Sequence, residues 1–242
     1  MEHTLFKERS FRQACESVVG DCNGVSFEER WLKETPDFAA AILRRVPQSG
    51  ARILDYGCGV GRLAKEILTQ RADVTVVGVD ASAVQLRHAQ EFVDNPRFSA
   101  CFPHELEGQF DLVYSVYVLQ HVPAIELREA ISRIHYRLNP QGVFVHCSSD
   151  TRMSVRWDEK SFFDDRFLGV NVFAEVDKLF MVKEDLFDKE TLERNEVLRK
   201  MILGFDGRSR PTVEGLYGLA HPATVHTPRA IAQPYFDLKP LR

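Results

Sequence analysis

The chain has 242 residues, 44% of them hydrophobic and 27% charged, with a formal net charge of −4 and a pI near 6.1. This length holds one large α/β domain or a domain with an appendage, and the mild acidity gives no electrostatic case for a nucleic-acid partner, which needs a basic surface. No apolar run reaches the ~18–20 residues of a membrane helix, and the charged start from Met1 to Arg9 lacks the apolar core of a signal peptide. The five cysteines (Cys15, Cys22, Cys58, Cys101, Cys147) are odd in number and scattered, with no Cys-x-x-Cys pair. Neither a disulfide framework nor a metal site is expected, and the expected compartment is the reducing cytoplasm.

In chain order, residues 1–26 carry no clear pattern. Residues 27–46 place Phe27, Trp31, Phe38, Ala39, Ile42 and Leu43 among charges, which predicts amphipathic helices, the second opened by Pro36 after Thr35 as N-cap. After the break at Gln48-Ser49-Gly50 the pattern alternates. Strands are predicted at Arg52–Tyr56, Val74–Val79, Phe98–Phe102, Phe110–Val116 and Val143–Cys147. Helices are predicted at Arg62–Gln70, Ser82–Val93 and Ala124–Leu138, the last ended by the turn Asn139-Pro140-Gln141-Gly142. Strands alternating with helices imply a parallel sheet covered on both faces. Beyond Ser148 the alternation loosens. The pattern there gives a helix at Val172–Leu179, a strand at Phe180–Leu186, a helix at Lys189–Leu203, a loop at Phe205–Tyr217 and a last strand at Ala223–Thr227.

Gly57, Gly59 and Gly61 follow the first strand and open a helix, where an open α/β sheet binds ligands. A dinucleotide fingerprint, Gly-x-Gly-x-x-Gly, requires its third glycine at position 62, and that residue is Arg62. The third glycine comes one place early, and Asp55 sits two residues before the first. A carboxylate there suits a cationic ligand group better than a pyrophosphate. Asp80 ends the second strand, where an acid accepts ribose hydroxyl protons. Its other reading is a helix N-cap, although Ser82 is the better candidate for that role.

Four segments in order carry a resemblance: Asp55-x-Gly57-x-Gly59-x-Gly61; Gly78-Val79-Asp80; Phe110-Asp111-Leu112-Val113-Tyr114-Ser115 with Val118-Leu119-Gln120-His121-Val122; and Leu138-Asn139-Pro140-Gln141-Gly142 before a strand. Together, over residues 27–150, they resemble the class I S-adenosylmethionine-dependent methyltransferases. The resemblance implies a Rossmann-like three-layer sandwich whose seven-stranded, mostly parallel sheet has an antiparallel last strand. It implies a helical cap at residues 1–46 and a methyltransferase domain at 47–242, of which residues 150–242 shape the acceptor site. It implies S-adenosylmethionine as cofactor, held by Asp55, Gly57, Cys58, Gly59, Gly61, Asp80, Ala81, Phe102 and Ser115. The chain departs from the family after the third strand, where many members carry an acid that binds the adenine amino group and this one reads Ser99-Ala100-Cys101-Phe102-Pro103-His104-Glu105. The backbone near Cys101 and Phe102 is the alternative holder of adenine, with Phe102 either stacking on it or simply packing in the core.

Methyl transfer from a sulfonium needs alignment, exclusion of water and, for some acceptors, a proton acceptor. His121 and Tyr117 are the catalytic candidates at the end of the fourth strand, and for His121 a structural role capping the next helix competes with that of general base. His146 reads as a core histidine, and Cys58 as a small residue suited to tight packing. Trp31 either closes the pocket over the sulfonium or pins its helix to the sheet. Trp157 and Phe163 mark an aromatic segment assigned to the acceptor, its other reading being a satellite hydrophobic cluster or an oligomer contact. There is no Asn/Asp-Pro-Pro-Tyr signature and no Pro-Cys dipeptide, which disfavours base-methylating enzymes. The expected reaction is transfer to an O or N of a small molecule, without nucleic acid or membrane as partner and with a homodimer left open. The alternatives are a protein or glycan methyltransferase and a non-catalytic cofactor-binding module.

Overall fold

A computed structural model describes residues 10–22, 24–46, 48–148, 172–204 and 222–230. The seven strands are β1 (Arg52–Tyr56), β2 (Thr75–Val79), β3 (Phe98–Cys101), β4 (Phe110–Val116), β5 (Leu138–Cys147), β6 (Phe180–Asp185) and β7 (Ala223–Pro228). They form one sheet in the order β3-β2-β1-β4-β5-β7-β6. The first five pair in parallel, and β7 runs antiparallel to both β5 and β6. The expected Rossmann-like sandwich is therefore present. The connection order reverses between β1 and β4, so the loops leaving their carboxyl ends diverge and open a crevice there.

Helices α1 (Phe11–Val19), α2 (Phe27–Leu43), α3 (Arg62–Gln70), α4 (Ala83–Val93), α5 (Ala124–Arg137), α6 (Val172–Leu179), α7 (Lys189–Arg194) and α8 (Glu196–Leu203) complete the described chain. Alternate strand residues divide between two cores, as period-two geometry requires. Ile53, Leu112, Tyr114, Val145 and Val225 pack with Phe38 and Ile42 of α2, Ile67 of α3 and Leu198 of α8. Leu54, Tyr56, Val113 and Phe144 pack on the other face with Leu127, Ile131 and Ile134 of α5 and Val176 of α6. Among the described residues, no helix is long and apolar enough to cross a membrane.

Three local expectations differ. Pro36 does not start a helix but lies inside α2. Its missing N–H removes one amide bond of the helix, yet the apolar stripe continues through Phe38, Ala39 and Ile42, and the Arg30–Glu34 ion pair binds the preceding turns. The predicted helix 189–203 is two helices, because Asn195 caps α8 by accepting the Leu198 N–H at 3.0 Å while its amide donates to Lys33 O and Asp37, both at 2.7 Å. Asn139–Gly142 belongs to β5 rather than to a free turn. Phe110 pairs with Leu138 and Leu112 with Val143, so the intervening residues bulge against β4.

Candidate functional site

The loop between β1 and α3 is closed by its own backbone. The Gly57 and Cys58 N–H groups both donate to Val79 O, at 2.7 and 2.9 Å, and the Gly61 N–H donates to Cys58 O at 2.9 Å. The Gly59 N–H donates to the Asp80 carboxylate at 2.9 Å. Gly57, with φ +84°, is the position that most needs glycine, since a Cβ there would lie 2.2 Å from Val118. A phosphate cradle needs such N–H groups turned outward. Here four of them are committed inward, which argues against a pyrophosphate ligand.

Asp80 stands at the carboxyl end of β2. Its second carboxylate oxygen accepts the Ser82 N–H at 2.9 Å, while Ser82 itself caps α4 by accepting from Gln85 N. Asp80 is thus oriented by backbone donors from the glycine loop and from the start of α4.

A cavity of about 270 Å³ opens over these groups. Gly57, Gly59, Asp80, Ala81, Tyr117 and His121 all line it, so the structure brings together six of the residues expected from the sequence. Val18 and Ser17 of α1 close it on one side, and Glu126, Glu129 and Arg133 of α5 on the other.

Asp55, Cys58, Gly61, Phe102, Ser115 and Trp31 do not line this cavity. Asp55 is buried beside Tyr114 and Arg62, and burial pushes its pKa up to about 7. Cys58 packs with Leu86 and Ala89, and burial raises its thiol pKa well above the ordinary value. Phe102 packs on that same cluster, and its N–H, the backbone donor expected near adenine, is taken by the Glu105 carboxylate at 3.0 Å. Ser115 is fully buried in β4, and its hydroxyl has no hydrogen-bond partner among the described residues. Trp31 meets Phe27 and Phe92 edge to face, with the Arg62 guanidinium 5.8 Å from its ring centre, so it pins α2 to α3 and α4. Trp157 and Phe163 lie outside the described residues.

Tyr117 has left-handed backbone, φ +62°, unusual for a residue with a large side chain. It is held there from both ends. Its N–H donates to Cys147 O at 2.8 Å, and its hydroxyl donates to Glu34 at 3.3 Å. Glu34 also accepts from Arg30 at 2.6 Å, and the Arg30 guanidinium donates to the Val19 and Gly20 carbonyls at the end of α1. Arg62 donates to Thr35 at 3.0 Å in the same buried layer. Burial and the Glu34 charge raise the Tyr117 pKa well above the ordinary value, so its phenol is neutral. His121 follows on a short 3-10 turn, Leu119–His121, and burial lowers its pKa to about 4. It too is neutral near pH 7, as a proton acceptor must be, but weakly basic.

The α5 wall and the α1 side are not among the residues expected from the sequence. Glu126, Glu129, Ala130 and Arg133 follow the i, i+3, i+4, i+7 spacing of one helix face, a signal legible in the sequence. Arg133 pairs with Glu129 at 2.6 Å and donates to Pro103 O. Tyr56, also on this wall, has its pKa pushed up to about 12 by burial. Ser17 and Gln85 meet across the loop at 3.1 Å, which no local motif announces.

A sequence model described as a methyltransferase domain matches residues 28–190, about two thirds of the chain. The chain belongs to this family, the class I S-adenosylmethionine-dependent methyltransferases. The glycine loop, Asp80, Tyr117 and His121 all fall within the matched segment of the methyltransferase. Over 94 residues the chain is 35% identical to a trans-aconitate 2-methyltransferase of Deinococcus radiodurans, covering 38% of this chain and 36% of that protein. Over 143 residues it is 33% identical to the cyclopropane-fatty-acyl-phospholipid synthase of Escherichia coli, covering 56% of this chain and 37% of that one. The matched stretch thus spans little more than a third of either relative. The crystal structure of the PH0226 protein of Pyrococcus horikoshii shares the fold, with a TM-score of 0.54, 18% identity, and 84% and 92% of the two chains covered.

Proposed function

We propose that this methyltransferase moves the methyl group of S-adenosylmethionine to an oxygen or nitrogen of a small-molecule acceptor in the cavity over β1 and β4. The observation that carries this reading is the inward commitment of the loop N–H groups beside an oriented Asp80. That arrangement suits a neutral ribose with a cationic sulfonium and offers nothing to a pyrophosphate. In this reading Asp80 receives the ribose, Gly57 and Gly59 let the ligand approach the backbone, and Ala81 lies beside the base. Helix α1 serves as the cap, set against the loop through Val18, whose side chain would lie 2.5 Å from a Cβ on Gly59, while α2 belongs to the core of the domain. The cofactor supplies an electrophilic methyl on a good leaving group. The protein aligns the acceptor and excludes water, and His121, neutral and at the cavity wall, is the group placed to take a proton from it. Tyr117 is tied to Glu34 and acts by shaping the wall.

The test is a methyl-transfer screen with isotopically labelled S-adenosylmethionine over metabolite pools and cell extract. Label in a small acceptor supports the proposal. Label confined to protein or glycan overturns the acceptor class, and cofactor binding with no transfer to any pool overturns catalysis.

A further inference from the structure

Gln85 lies on the first turn of α4, is 1% exposed and lines the same cavity as Asp80. Its amide orientation follows from its neighbour. The Ser17 hydroxyl donates its proton to Ala14 O at 2.8 Å. Its oxygen is left as an acceptor, so the group that Gln85 turns toward it at 3.1 Å is the amide nitrogen. The carbonyl oxygen of Gln85 therefore faces away from Ser17. It is buried and has no partner among the described residues. Buried acceptors are nearly always satisfied, and this one is a hydrogen-bond donor short, beside an aspartate that is itself supplied only with acceptor capacity.

Resting on the cofactor reading above, we propose that the Gln85 carbonyl accepts a ribose hydroxyl of the cofactor, and that Ser17 fixes the amide so that it does. Asp80 and Gln85 then divide two vicinal hydroxyl donors between two acceptors. Because Ser17 belongs to α1, the same amide joins the closing helix to the bound nucleoside. Gln85 is a ligand-binding residue and Ser17 a positioning residue. No motif marks either one, since the pairing spans 68 positions of sequence.

The experiment is calorimetric titration of the full chain with S-adenosylhomocysteine and with its 2′-deoxy and 3′-deoxy analogues. The proteins compared are the unmodified chain, Gln85→Met and Ser17→Ala. Gln85→Met is expected to bind S-adenosylhomocysteine about tenfold more weakly, the factor of one hydrogen bond to a buried group. Against one of the two deoxy analogues it is expected to show no further loss, because the lost partner is the same. Ser17→Ala is expected to shrink the discrimination against that analogue by a smaller factor. Equal affinity of Gln85→Met and the unmodified chain overturns the proposal. So does an equal loss for all three ligands, which is a packing effect. If Gln85→Met does not fold, undiminished discrimination in Ser17→Ala overturns it. Failure of the unmodified chain to bind S-adenosylhomocysteine overturns the cofactor reading itself.

Discussion

Replacing Glu34 by alanine removes the carboxylate that bonds both Arg30 and the Tyr117 hydroxyl. Glu34 is fully buried and Arg30 is 3% exposed, so water does not replace the lost charge. Breaking a buried ion pair from one side costs about 3–5 kcal/mol, because the remaining charge stays buried and uncompensated. The Tyr117 hydroxyl loses its bond to Glu34 as well, a further cost of about 1 kcal/mol that overlaps with the first rather than adding fully. The expected loss is therefore at least about 3 kcal/mol in unfolding free energy, read from urea denaturation at pH 7. Arg30 also holds the Val19 and Gly20 carbonyls, so α1 should loosen over the glycine loop, seen as faster amide hydrogen exchange across Phe11–Val19. The paired replacement Arg30→Met with Glu34→Leu should recover most of the stability, since a buried ion pair is roughly neutral against apolar residues of like volume. A Glu34→Ala loss below about 1 kcal/mol, the range of an exposed pair, would refute the buried-network reasoning.

Gly57→Ala should cost about 2–4 kcal/mol, from the left-handed backbone and the collision with Val118 together, and should abolish cofactor binding; a variant of unchanged urea midpoint and affinity contradicts the loop geometry. Asp55 in the fold holds its proton up to about pH 7, whereas the unfolded carboxyl releases it near 3.8. The folded state thus binds the extra proton between these values, and the cost of Asp55 grows as pH rises through that window. Asp55→Asn should gain little at pH 4 and most at pH 8, up to about 4 kcal/mol, and a gain that is equal at both pH values refutes the burial argument. If His121 is the proton acceptor, kcat/KM with the acceptor found by the screen should stay flat from pH 8 down past 6.5 and fall only toward about 4; a limb at the ordinary histidine value would show that His121 is solvated or not the titrating group.

The glycine loop was legible because its function is written in backbone conformation, and backbone conformation restricts residue type. Three glycines with positive φ at alternate positions leave little other sequence. The parallel strands were equally legible, since burial on both faces demands the apolar runs found at Val76–Val79 and Leu112–Val116. Pro36 misled because local propensity was overridden by the packing of α2 across the sheet. Asp55 was read from its place in a motif as facing the ligand, whereas strand alternation turns it into the face shared with Tyr114. The shortage of an acid after β3 led to Phe102, yet Glu105 folds back onto the Phe102 N–H, a tertiary detail that spacing does not encode. Ser17, Gln85 and the α5 wall are brought in by helices packed from distant parts of the chain, and only the α5 face carried a periodic signature.

The nature of the ligand over the glycine loop decides the function of the site. Titrating the full chain calorimetrically with S-adenosylmethionine and, separately, with NADH tests it most directly, with Asp80→Ala as the comparison. The expected result is single-site binding of S-adenosylmethionine, no binding of NADH, and a loss of affinity in Asp80→Ala. Binding of NADH in place of S-adenosylmethionine, or an Asp80→Ala affinity equal to that of the unmodified chain, would contradict it.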